Sequence, residues 1–465
     1  MPSTASAPSD PSSAAPLAPP IARGVPLLGQ LPFLLWNKLD HLLMLQKQYG
    51  DVYRLDLGVT HLIALNHPDH AQHVLRDKAK RYGKGNALWD SIRGLLGNGL
   101  PVSEGAFWLR QRRMIQPHFH RDRLVAMAHL MVDAIDEELR SWDAYASTGE
   151  PLDLFREMTR ITMRVIVRTM FGSKLASETA DLVGREMSYV LDYMLMGMVA
   201  KQLPHWVPIP GRQRFADSLR RLDAVLFDLI AQRKQQQDRQ GGELLDMLLD
   251  AVDAETGQQM TDRELRDEAM AMFLAGYETT SATLSFAFHH LGESPAVQKQ
   301  VVAELDSQLA GRRPEFADQR QLPCTLAVVQ ESLRLHGPVY WIPRTAEEDD
   351  VISGYQIRKG QEVAVMSYVI HRHPQFWKEP LRFDPSRFLP SAPPLAHPLQ
   401  FMPFGVGQRI CVGKEFALME GVFILARILS HYDVVPVAGR SAKVHVGTTL
   451  RPQDGVWVRI RRRAR

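Results

Sequence analysis

The stretch Pro403-Phe404-Gly405-Val406-Gly407-Gln408-Arg409-Ile410-Cys411-Val412-Gly413 sets a cysteine among three glycines and an arginine. Glycines 405, 407 and 413 lack a Cβ, so they permit positive φ and a close approach of backbone to a flat ligand. Beyond them, Phe416, Met419, Phe423 and Ile424 recur at helical spacing. Cys411 therefore falls at a helix N-terminus, where free N–H groups and the helix dipole favour a thiolate. Arg409, two residues away, can pair with an acidic group on a ligand. The plainer alternative is a buried structural cysteine beside a glycine-rich turn, and Phe404, Arg409 and the glycines together weigh against it.

With no second cysteine or histidine close by, a lone thiolate suits an iron already held by four porphyrin nitrogens. The whole chain of 465 residues has only one other cysteine, Cys324. A disulfide framework and a four-cysteine zinc site are thereby excluded, and a reducing, cytoplasmic setting is expected. Hydrophobic residues make up 45% and charged residues 23%, enough for a sizeable core, while a net charge of +3 is too small to argue for nucleic acid. No apolar run approaches the roughly 20 residues that span a bilayer. Segment 31–45, broken by Asn37, Lys38, Asp40 and His41, reads as a core helix.

Residues 1–22 are dominated by Pro, Ser and Ala and read as a disordered leader, with residues 23–465 forming one domain. The absence of arginine before Arg23 and the presence of Asp10 weigh against a transit peptide. Alternating runs at 52–57 and 61–65 predict a hairpin around Gly58. Alternation returns at 351–357, 362–369 and 456–460, and helical periodicity dominates from 121 to 335. The fold class expected is mainly α with small β-sheets.

A second constellation lies at 261–291. Thr261 with Glu264 is a capping box, and Gly292-Glu293-Ser294-Pro295 is a stop signal. About 30 residues at 1.5 Å each cross a whole domain. At its middle, Ala275-Gly276 is small enough to admit a flat macrocycle, and Thr279 can bond back to the carbonyl of residue 275 and open a notch. Glu278 beside Thr279 offers an acid–alcohol pair that delivers protons without admitting bulk water; a solvated Glu278 and a merely packed Thr279 are the plainer reading. Glu331 and Arg334 share a helix face, a weak signal alone. Trp108 with Arg112 reads on its own as a cation–π or core-edge contact.

Phe404, Gly407, Arg409, Cys411 and Gly413 together resemble the haem-binding signature of the cytochrome P450 family, and Ala-Gly-x-Glu-Thr-Thr at 275–280 resembles its oxygen-activation motif. The resemblance runs from about residue 25 to the C-terminus. It implies a single-domain P450 fold with haem b (iron protoporphyrin IX) between the long central helix and the cysteine-loop helix. Cys411 would be the iron ligand and Phe404 would pack on its sulfur. Arg409, Trp108, Arg112, Arg344 and Lys84 would hold the propionates. Glu331, Arg334 and Arg387 would form a structural cluster beneath the cysteine loop. Leu100, Pro101, Met272, Val339, Tyr340, Trp341 and Thr449 would line a largely apolar substrate pocket.

The activity implied is insertion of one oxygen atom from O2 into an apolar small molecule by hydroxylation or epoxidation; fatty acids, terpenoids, polyketides and aromatics all fit. Electrons would come ultimately from NAD(P)H through a separate ferredoxin or flavodoxin/flavoprotein. Arg110, Arg112, Arg113, Arg121 and Arg123 are candidate docking residues for it. The methionines at 187, 194, 196 and 198 fall where the family has a lid, or else form a stripe packed on the core. A monomer without a transmembrane anchor or nucleic-acid partner is expected. The alternatives are a peroxygenase or isomerase on the same fold, and a haem-based binding or sensor protein.

Overall fold

Thr261 starts the longest element. Its hydroxyl accepts the Glu264 N–H at 3.2 Å, and the Glu264 carboxylate accepts the Thr261 N–H at 2.7 Å, completing the expected capping box. The computed structural model describes residues 16–463, apart from 37, 59, 86, 173–176, 201–208 and 237–242. In it the central helix runs Asp262–Glu293, 32 residues, before Pro295 opens the next helix, Pro295–Leu309. At 1.5 Å per residue its length is roughly 48 Å.

Being buried along most of its length, this helix has apolar residues on nearly all sides and forms the axis of the main core. The helix Leu154–Phe171 closes on it at Gly276, where a Cβ would come within 2.9 Å of Ile166, and Thr162 donates to the Tyr277 carbonyl at 3.0 Å. On another side, Gly421 of the cysteine-loop helix Lys414–His431 allows contact with Leu284 and with Val329 of the helix Pro323–His336.

The six-stranded sheet has the order Ile21–Ala22, Val52–Asp56, His61–Leu65, Glu362–Val365, Ile342–Ala346, Tyr82–Gly83. The hairpin expected around Gly58 is present, with Val52 opposite Leu65 and Asp56 opposite His61. At the far edge Gly83 pairs with Thr345, so Lys84 and Arg344 emerge side by side. A three-stranded sheet joins Tyr432–Pro436, Trp457–Arg462 and Leu152–Asp153. There Arg462 pairs with Asp143, while Arg463, just beyond the strand, pairs with Asp306.

Several expected boundaries change. Ile21–Ala22 pairs in parallel with Arg54 and Leu55, so the ordered domain begins before residue 23; the first fifteen leader residues lie outside the described residues. Segment 31–45 is two helices, Leu31–Trp36 and Lys38–Tyr49, with Leu31, Phe33 and Met44 exposed, so only one face is core. Segment 351–357 is a tight hairpin turning at Ser353-Gly354, and the alternation at 362–369 stops at Val365 because Ser367–Ile370 coils into a helical turn. Among the described residues no helix is long and apolar enough to cross a membrane.

Glu331 and Arg334 are fully buried and joined by two hydrogen bonds of 2.7 Å. Arg334 also donates to the carbonyls of His371, Pro380 and Arg382, and Glu331 accepts the Asp384 N–H. Arg387 approaches Glu331 at 3.5 Å, an ion-pair distance, and its Nη2 donates to the Glu379 carbonyl. His371 then accepts the Met402 N–H at 3.0 Å, which ties the cluster to the start of the cysteine loop. Burial holds His371 neutral, with its pKa lowered to about 3, so its Nε2 lone pair stays free for that bond. Glu331→Ala strands the Arg334 charge in the core. The expected loss is about 3–5 kcal/mol, read as a fall in the denaturant midpoint of unfolding.

Candidate functional site

Cys411 lies just ahead of the helix Lys414–His431, for which Gly413 is the N-terminal cap. Its N–H donates to the Phe404 carbonyl at 2.9 Å, closing the loop on itself. Gly407 has φ of +69°, and a Cβ there would meet the Leu75 carbonyl oxygen at 2.4 Å, so glycine is required. Gly405 also has positive φ, whereas Gly413 has φ of −85° and needs no such freedom. Cys411 is solvent-exposed as a residue yet closely surrounded by protein. Burial pushes the thiol pKa up, with the Gly413 N–H and Arg112 pulling it back only in part. The helix end does not by itself prepare the thiolate; coordination to a metal would, by deprotonating the thiol.

The central helix is uncovered along one stripe. Ala275 is exposed, while Met272, Gly276 and Thr279 are half-buried, positions that share one helix face. Ala275 offers the open backbone expected of the small pair, and Gly276 instead makes room for Ile166. Thr279 Oγ1 donates to the Ala275 carbonyl at 2.6 Å, the expected back-bond, within a helix that is continuous from Asp262 to Glu293.

Glu278 and Thr279 are not hydrogen-bonded to each other. One residue step turns a helix by about 100°, and the Glu278 carboxylate accepts from Thr449 at 2.9 Å. Burial raises its pKa, opposed by Thr449 and Arg451. Thr449, expected in the pocket lining, thus braces the acid.

Segment 97–103 brackets both the stripe and the cysteine loop. Asp267 accepts the Asn98 N–H at 2.8 Å and Glu268 accepts the Leu100 N–H at 3.0 Å. Lys84 donates to the Pro101 carbonyl, and Arg409 to the Ser103 carbonyl at 2.6 Å. Lys84 and Arg344 are buried, and Arg409 is half-buried. Among the described residues none of the three forms an ion pair; the carboxylate that faces all of them is Glu104. Burial lowers Arg344 and Arg409 to about 10, with Arg409 repelling Arg344 and Arg112 repelling Arg409. Lys84 falls well below its usual value, through burial first and then repulsion from Arg409 and Arg344. Such an excess of buried positive charge calls for an anion, and the two carboxylates of a haem fit it.

The aromatic partners differ from expectation. Arg409, not Arg112, lies over the Trp108 ring at 4.0 Å, and Arg112 donates to the Ile410 carbonyl at 2.7 Å. Tyr340 donates to the Gly447 carbonyl at 3.1 Å, and with Trp341 it packs on the sheet-side cluster around Tyr53 and Leu450. Val339 and Pro101 are exposed, and Leu100 is half-buried. Of the docking candidates, Arg110 pairs with Glu264 and Arg113 with Asp253 and Glu255, so their charges are already balanced; Arg121 stacks over Phe316. Met187 is fully buried beside Val183 and Val190, so that part of the methionine stripe packs on the core. The side chains of Met194, Met196 and Met198 lie outside the described residues.

Trp89, stacked by Lys84 at 4.7 Å and Arg344 at 5.8 Å, and Glu104 carried no sequence signal. Asp267-Glu268 did: two adjacent acids in the first half of a core-spanning helix.

The profile of the cytochrome P450 family matches residues 19–455. A cyclooctat-9-en-7-ol 5-monooxygenase from Streptomyces melanosporofaciens is 33% identical over 416 residues, 89% of each chain. A pentalenene oxygenase from Streptomyces avermitilis is 29% identical, covering 89% of this chain and 92% of its own. The crystal structure of a cytochrome P450DA heme domain superposes with a TM-score of 0.88 at 26% identity, over 97% of this chain and 99% of that one. The fold and the cysteine loop are those of a haem-binding oxidoreductase. The chain belongs to the cytochrome P450 family, and it is a P450 monooxygenase.

Two outcomes follow from the charges. The Glu268 carboxyl is raised by burial from 4.5 to about 8, so folding favours its protonated form. That contribution is complete below pH 4.5 and is lost as pH rises towards 8. Glu268→Gln should match the parent at low pH and exceed it at pH 9 by at most about 5 kcal/mol, measured by denaturant unfolding. Arg344→Leu removes a repelling buried cation, so the haem-free chain should melt higher while the protein yields haem more readily to apomyoglobin.

Proposed function

We propose that this P450 hydroxylates or epoxidises a cyclic, largely hydrocarbon substrate of the terpene class. It would use O2 and electrons from NAD(P)H passed through a separate ferredoxin or flavodoxin/flavoprotein. The observation that carries this reading is the uncovered stripe of Met272, Ala275 and Thr279, an almost wholly apolar wall with one hydroxyl. The relatives named for a cyclic alkenol and for pentalenene support the substrate class.

When bound, the haem supplies the oxygen-activating chemistry that thiolate ligation promotes. Cys411 is its ligand in this reading, and Arg344, Arg409 and Lys84 balance its propionates. Trp108 sets the angle of Arg409 through their stacked contact. Thr279 Oγ1, half-buried on the stripe, rests its proton on the Ala275 carbonyl and presents its lone pairs to the uncovered face. Glu278, its carboxyl pushed towards the protonated form by burial and braced by Thr449, is the acid assigned to replace that proton across the helix turn that separates the two side chains. Leu100, Pro101, Met272 and Val339 orient the substrate and exclude water. Arg112, Arg121 and Arg123 remain as docking cations for the electron donor.

The test combines binding and coupling. Cyclic terpenes and their alcohols should shift the haem absorption band, whereas linear fatty acids of equal carbon number should not. Thr279→Ala should divert electrons to hydrogen peroxide with haem content unchanged. Undiminished coupling of NAD(P)H use to product in that variant counts against the role given to Thr279.

A further inference from the structure

At the far end of the central helix, His289, His290 and Glu293 take no part in the oxidation site. Glu293 is four residues beyond His289 and three beyond His290, so its carboxylate sits over the gap between the two rings. His289 Nε2 lies 3.5 Å and His290 Nδ1 3.8 Å from the same Glu293 oxygen, and all three donor atoms fall within 4.8 Å of one another. We propose that these residues form a second metal site, for a divalent transition ion of the zinc class.

The separations suit such an ion. Ligands at about 2.0–2.1 Å in tetrahedral array stand roughly 3.4 Å apart. The two contacts to Glu293 are already near that value, and the two imidazole nitrogens, within 4.8 Å of each other, come together by rotation of the half-buried His289 ring. Two imidazoles with one carboxylate select a borderline ion over magnesium or calcium, which take oxygen ligands.

His290 is held in place for this role. Its ring stacks between His336 at 5.1 Å and Phe383 at 4.6 Å, and its Nε2 is buried without a hydrogen-bond partner. Nδ1 is therefore the nitrogen turned towards Glu293. The site also caps the C-terminal end of a 32-residue helix, where the dipole favours positive charge. Burial lowers the pKa of both histidines, to about 3 for His290, and Arg372 and Arg334 on its inner side lower it further. Lowered pKa values favour the neutral rings that a metal ligand requires.

The experiment is calorimetric titration of the chelator-treated holoenzyme with zinc chloride at neutral pH. The wild type should bind one equivalent at this site. His289→Gln and Glu293→Gln should each weaken that binding on the order of tenfold or more. Because neither residue touches the oxidation site, the haem spectrum and oxidation rate should stay unchanged. Absence of stoichiometric binding in the wild type, or wild-type affinity in either variant, overturns the proposal.

Discussion

The pair of charges on Glu331 and Arg334 lies where neither can reach water, and much else is arranged to keep them satisfied. Two ions taken out of solvent carry a desolvation penalty of several kcal/mol each, recovered only when their remaining hydrogen-bonding capacity is filled. Arg334 fills its capacity with three carbonyls, those of His371, Pro380 and Arg382, and Glu331 with the Asp384 N–H. The pair therefore dictates the path of a long stretch without regular structure, from His371 to the cysteine loop. His371 passes that constraint on to Met402. The position of Cys411 is thus tied to an ion pair some eighty residues earlier in the chain.

A second constraint is electrostatic and unresolved within the chain. Among the described residues Lys84, Arg344 and Arg409 converge with Glu104 as their common carboxylate, and folding the haem-free protein must overcome their repulsion. Stability in this region is consequently tied to the anion that the cations receive. The six-stranded sheet contributes here by its register, because pairing Gly83 with Thr345 is what brings Lys84 and Arg344 together.

The sequence disclosed the parts of this architecture that rest on local rules. The capping box at Thr261, the glycine turns at 405 and 407, and the hairpin around Gly58 each follow from residues close together in the chain. The Glu331–Arg334 pair was legible for the same reason. Partners set by tertiary packing were not. Nothing in the spacing of Trp108 and Arg112 reveals that Arg409, about three hundred residues later, takes the indole face. Glu278 and Thr279 are adjacent in sequence, and the helix turn that separates them also hands Glu278 to Thr449. The arginines at 110 and 113 looked like free surface charge until Glu264, Asp253 and Glu255 were seen beside them.

The segment from Gly97 to Ser103 is fastened almost entirely through its main chain. Its N–H groups go to Asp267 and Glu268, and its carbonyls to Lys84, Arg93 and Arg409. Peptide groups are common to all residues, so beyond Gly97 and Gly99, where a Cβ would collide with Asp267, these fastenings do not depend on the side chains that point away from them. Leu100 and Pro101 can be exchanged over evolutionary time without releasing the segment from its mooring, whereas Val102 is fixed by the main core. A descendant of this protein could acquire a differently shaped pocket through a handful of changes here and inherit the rest of the scaffold unaltered.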